Sequence, residues 1–89
     1  MFNKRRSEIE IIADILNLSK HGARKTEILY QCNLSFTQCN NYLSFLINKD
    51  ILEEKKIINN VDCNDKFYKI TDKGHSLLDE INKTLCYFR

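Results

Sequence analysis

Eighty-nine residues, 43% hydrophobic and 29% charged, with no proline, no tryptophan and two glycines, make one small domain and exclude a disordered tail, a collagen-like chain or a turn-rich β-sandwich. Fourteen basic against twelve acidic side chains leave a net charge of +2, low for a strongly basic nucleic-acid binder. The excess is uneven, since residues 1–25 hold Lys4, Arg5, Arg6, Lys20, Arg24 and Lys25 against Glu8, Glu10 and Asp14.

The first helix is predicted over residues 7–19. Ser7 suits an N-cap, and Glu8 and Glu10 suit the positive end of the helix dipole. Ile9, Ile12, Ala13 and Leu16 form one stripe at helical spacing, and Ile11, Ile15 and Leu18 a second on nearly the opposite side. A helix apolar on two sides is buried on two sides. One stripe covers the core, and the other needs the last helix or another subunit. Lys20-His21-Gly22 ends the helix, with Gly22 expected in a left-handed C-terminal cap.

A short second helix is expected over residues 25–32, with Ile28 and Leu29 inward. In the following Asn33-Leu34-Ser35, Asn33 tolerates positive φ, Leu34 is a buried turn residue and Ser35 an N-cap. The third helix spans residues 35–49. Its inward stripe is Phe36, Cys39, Leu43, Leu46 and Ile47, and its outer face carries Thr37, Gln38, Asn41, Ser44, Phe45 and Asn48. Solvated helix faces usually hold Lys and Glu, whereas Asn, Ser and Thr cost helix stability. Their amides and hydroxyls can donate and accept at base edges. The bland reading is a neutral face in an asparagine-rich chain, as Asn59, Asn60, Asn64 and Asn82 suggest.

Residues 51–58 read as a strand, with Glu53, Glu54, Lys55 and Lys56 suited to an exposed ribbon. Residues 59–65 form a turn-rich loop, and residues 66–70 return as a second strand with Tyr68 and Ile70 on one face. Thr71 caps a last helix with Asp72 in its first turn. Leu78, Ile81, Leu85 and Phe88 fit two heptads, which suit packing on the first helix or a two-fold contact between last helices.

Cys32, Cys39, Cys63 and Cys86 lack metal-ligand spacing, and His21 and His75 are isolated. Cys32 and Cys39 are read as small apolar residues and Cys63 as part of a turn. No metal, cofactor or catalytic motif is expected, and the chain is not read as an enzyme. The basic start lacks a following apolar stretch, and no run is long and apolar enough to span a bilayer, so a cytoplasmic chain without membrane contact is expected.

The expected fold is therefore mainly α (α+β), a single domain over residues 1–89. Its order is three helices, two strands forming a wing, and a fourth helix. In this arrangement the third helix would enter the major groove and the hairpin loop would lie beside the backbone or minor groove. Arg24 and Lys25 would face phosphate.

The runs SEIEIIADIL from Ser7, GARKTEILY from Gly22 and NLSF from Asn33, with Tyr42-Leu43 and YKITDKG from Tyr68, together resemble a family of small archaeal winged helix-turn-helix DNA-binding proteins. That family includes chromatin-associated members and transcriptional regulators. The resemblance implies a winged helix, duplex DNA as partner, and a homodimer held by the C-terminal helix. It also implies DNA contact by Lys25, Thr26 and the outer face of the third helix. Relatives tend to carry Lys or Arg where this chain has Asn41 and Ser44, which implies weaker electrostatic affinity. The last helix, ending at Arg89, implies a compact contact rather than an extended coiled coil.

The residues expected at DNA are Arg5, Arg6, Arg24, Lys25, Thr26, Ser35, Thr37, Gln38, Asn41, Ser44, Asn60 and Lys66. Those expected at a dimer contact are Leu78, Ile81, Leu85 and Phe88, in residues 71–89. The leading function is a transcriptional regulator. The alternatives are a non-specific chromosomal protein and a protein-interaction module anchored by Phe45, unless Phe45 packs against the base of the hairpin.

Overall fold

In a computed structural model that describes residues 8–56 and 66–87, the chain forms α1 (Glu8–Leu18), a 3-10 turn (Ser19–His21), β1 (Ala23–Arg24), α2 (Lys25–Gln31), α3 (Phe36–Asn48), β2 (Leu52–Lys56), β3 (Lys66–Ile70) and α4 (Asp72–Cys86). The winged-helix order expected from the sequence holds, with one addition. The sheet has three strands, in the order β1-β3-β2, all antiparallel. β1 pairs Ala23 with Tyr68 and Arg24 with Phe67, so β3 is central.

Gly22 corrects the reading of a left-handed helix cap. Its φ of 93° comes with a ψ of 132°, outside the left-handed helical region and in a positive-φ conformation that residues with a side chain rarely adopt. The residue turns the chain from the 3-10 turn into β1. The Phe67 ring lies 3.0 Å from where a Cβ would stand.

The core gathers Ile15, Leu16, Ile28, Cys32, Cys39, Leu46, Leu52 and Leu78, none more than 2% exposed. Both stripes of α1 are used within the chain: Ala13, Ile15 and Leu16 are buried, and Ile11, Ile12 and Leu18 are half-buried against the same core, with α4 packed on α1. Cys32 and Cys39 are buried small residues. Burial pushes the Cys39 thiol above its usual range, and the Lys25 charge pulls it partly back.

The two turns that frame α3 share one construction. After α2, the Asn33 N–H bonds the Tyr30 carbonyl (3.2 Å) and the Leu34 N–H bonds the Leu29 carbonyl (2.9 Å). After α3, the Asp50 N–H bonds Ile47 (3.0 Å) and the Ile51 N–H bonds Leu46 (2.9 Å). Both are Schellman caps, with Asn33 (φ 54°) and Asp50 (φ 61°) in the left-handed position usually held by glycine. Leu34 and Ile51, the residues just beyond, are buried. The turn from α2 into α3 and the turn from α3 into β2 are thus set by the same hydrogen-bond pattern, each closed by its own buried apolar residue.

Thr71 joins α4 to this frame. Its hydroxyl lies within bonding distance of the Asp50 (2.7 Å) and Ile51 (3.0 Å) carbonyl oxygens and accepts from the Gly74 N–H (3.0 Å). Gly74 is buried, and a Cβ there would meet the Ile51 carbonyl oxygen and lie 2.6 Å from Ile70 Cγ1. The first turn of α4 can approach β2 and β3 this closely because residue 74 has no side chain.

Candidate nucleic-acid interface

Ser35 opens α3 with a reciprocal cap: its Oγ accepts from the Gln38 N–H (3.2 Å), and Gln38 Oε1 accepts from the Ser35 N–H (3.0 Å). Both residues were expected at DNA, and each now has a structural duty as well. The Ser35 hydroxyl proton and the Gln38 amide NH2 are not consumed by the cap. Thr37, Gln38, Asn41, Ser44 and Asn48 are all exposed, on the side of α3 away from the core residues Cys39, Leu43 and Leu46. The result is an uncharged face of hydroxyls and amides with the exposed Phe45 ring among them.

At the start of α2, Arg24 and Thr26 are exposed and Lys25 is half-buried. Arg24 occupies the N-cap without a side-chain capping bond; instead Glu27 accepts from its backbone N–H at 3.4 Å. Lys66, at the wing side of β3, is exposed, with its ammonium 3.3 Å from the Glu54 carboxylate. Arg5, Arg6, Asn60 and Phe88 lie outside the described residues, as do Ser7 and Cys63.

Phe36 corrects the sequence reading. It was assigned to the inward stripe of α3, yet it is 65% exposed, and the Lys25 ammonium stands 4.6 Å from the centre of its ring. As the first residue of α3 it precedes the point where the helix meets the core. The wheel position was right, but the helix has no neighbour there to bury it. Only its place directly after the Ser35 cap could have signalled this.

Phe45 is also exposed (48%). With Glu8, Ile12, Gln38, Asn41 and Tyr42 it lines a shallow groove of about 430 Å³ between α1 and the outer face of α3. Glu8 therefore brings a carboxylate beside Gln38 and Asn41, an unfavourable charge for an approaching phosphate.

On α4, Leu78 (1% exposed) and Ile81 (9%) are buried in the chain's own core, and Leu85 is half-buried there. Two residues expected at a dimer contact therefore already pack within one chain. The exposed residues of α4, among them Asp79, Glu80, Asn82 and Lys83, are polar apart from Cys86. The apolar side chains left partly open on this side are Leu77 and Leu85 of α4 and the exposed Ile9 of α1. No helix among the described residues is long and apolar enough to cross a membrane.

Comparison with known proteins agrees with this geometry. The chain is 36% identical over 53 residues to the uncharacterized protein MJ0287 of Methanocaldococcus jannaschii, covering 58% of this chain and 55% of that protein. It thus spans about half that relative's length. Among solved structures, Sso10a-2, a DNA-binding protein from Sulfolobus solfataricus, matches with a TM-score of 0.77 and 26% identity over 92% of this chain and 81% of its own. The protein smu.1704 from Streptococcus mutans shares the fold, with a TM-score of 0.84 and 20% identity over 98% of this chain and 86% of its own. A family model described as winged helix-turn-helix matches residues 5–86, and the chain belongs to the winged helix-turn-helix family.

Proposed function

We propose that the protein binds double-stranded DNA as a transcriptional regulator, with α3 in the major groove, Lys25 and Arg24 at the backbone, and the wing alongside. The observation that carries this is the exposed, uncharged face of Thr37, Gln38, Asn41 and Ser44. An α-helix fits the major groove, and Asn and Gln are the side chains whose two-pronged amides match adenine. Similarity to a DNA-binding protein of known structure supports the reading. With few cations on the face, base contacts and shape carry a larger share of affinity than charge does.

The test is fluorescence anisotropy of the full chain with labelled duplexes, first a random pool and then a selected sequence. Binding at about 50 mM salt that weakens as salt rises is expected, with a clear preference for the selected duplex. Equal affinity for random and selected duplexes would favour a non-specific chromosomal role. No binding to either would overturn the proposal. It would leave the groove of Ile12, Tyr42 and Phe45 as the basis for a protein-interaction module.

A further inference from the structure

We infer that Phe36 is a DNA-contacting residue that both reads a thymine and positions Lys25. The inference rests on the duplex-binding reading above and deepens it.

Phe36 is 65% exposed while the nearby Leu34 and Cys39 are buried; exposure alone is common for single apolar residues, and it is the ring's contact with Lys25 that sets it apart. Phe36 is the first residue of α3, directly after the Ser35 cap, and its ring stands at the end of the helix where the starts of α2 and α3 meet. That cap fixes the backbone carrying the ring. The Lys25 ammonium, 4.6 Å from the ring centre, is within the range of cation–π attraction. A lysine free in solvent explores many rotamers, and the ring restricts this one. The pair joins α2 to α3, placing a cation for phosphate beside an apolar surface for a base.

An aromatic edge at the start of a major-groove helix meets its match in the 5-methyl group of thymine, the one apolar feature on that edge of the bases. Phe36 is thus a specificity-determining residue toward thymine, and a positioning residue toward Lys25. The uncharged α3 gives this contact added weight, since residues 36–48 themselves include no arginine or lysine.

The experiment uses the full chain and a duplex selected from a random pool, with copies in which single thymines are replaced by deoxyuridine. In the wild type, removal of one particular methyl weakens binding about fourfold. In Phe36→Ala that penalty disappears, and affinity for the parent duplex is lower by about three- to tenfold. Lys25→Gln lowers the slope of log K against log salt by about 0.9. Combined with Phe36→Ala it costs less than the two single losses multiplied, because the ring no longer holds the cation. Phe36→Leu keeps part of the thymine preference and loses the coupling to Lys25.

Circular dichroism of each variant establishes that it is folded, as expected for a change at an exposed site. A folded Phe36→Ala that binds like wild type with the same deoxyuridine penalties would overturn the inference and leave the duplex-binding reading standing. So would strict multiplicativity with Lys25→Gln. A wild type that binds no duplex at about 50 mM salt overturns both.

Discussion

Gly74→Ala gives the sharpest test of how α4 is held. In an open helix this change adds about 1 kcal/mol of stability through helix propensity. Here a methyl group would meet the Ile51 carbonyl oxygen, a backbone atom that cannot rotate away, and would lie 2.6 Å from Ile70 Cγ1. Overpacking of this kind costs about 1–3 kcal/mol. The same Ile51 oxygen accepts from the Thr71 N–H at 3.0 Å and lies 3.0 Å from the Thr71 hydroxyl. Displacing it weakens these bonds, a further cost of about 1 kcal/mol. The clash and the weakened clasp outweigh propensity by about 2 kcal/mol, which for a domain this size lowers Tm by about 8–16 °C. Thermal unfolding followed by circular dichroism at 222 nm reads the effect. A Gly74→Ala protein with unchanged or higher Tm would refute the claim that α4 docks through the missing side chain.

Ser35→Ala removes the acceptor for the Gln38 N–H and should cost about 1 kcal/mol in denaturant unfolding, with a loss of duplex affinity in the same variant. Glu8→Gln removes the carboxylate beside Gln38 and Asn41; duplex affinity should rise about two- to threefold at low salt and less at high salt, read by anisotropy. Burial and then the Glu54 carboxylate raise the Tyr68 hydroxyl above its usual range. The neutral phenol is thus favoured in the folded state. The contribution is complete below the unfolded value of about 10 and is lost as pH rises through the folded value. Wild-type stability should therefore fall more steeply than that of Tyr68→Phe above pH 10, and parallel pH–stability curves would contradict this assignment.

The helices and the wing strands were legible because their signals are local. Periodicity marked α1, α3 and α4, and Ser35 and Thr71 both cap helices as expected, accepting from Gln38 and Gly74. Asn33 and Leu34 took the turn roles assigned to them. β1 was not legible, because Ala23 and Arg24 have no strand preference and become a strand only through β3, more than forty residues away. Phe36 was misplaced because a helical wheel reports direction, not whether a neighbour exists in that direction. The use of Leu78 and Ile81 within the chain was equally open on sequence grounds, since one heptad stripe fits a neighbouring helix of the same chain or of another. The uncharged outer face of α3 was read correctly, while the groove beside it requires α1 and α3 to be seen side by side.

The central place of β3 has a mechanical consequence. One edge of this strand holds the root of the wing, and the other holds Ala23 and Arg24, which lead without a break into Lys25. A push on the hairpin therefore reaches the start of α2 through peptide hydrogen bonds rather than through soft side chains. The start of α2 and the root of the wing are therefore yoked through one strand, and a shift in the register or twist of β3 would be passed to both.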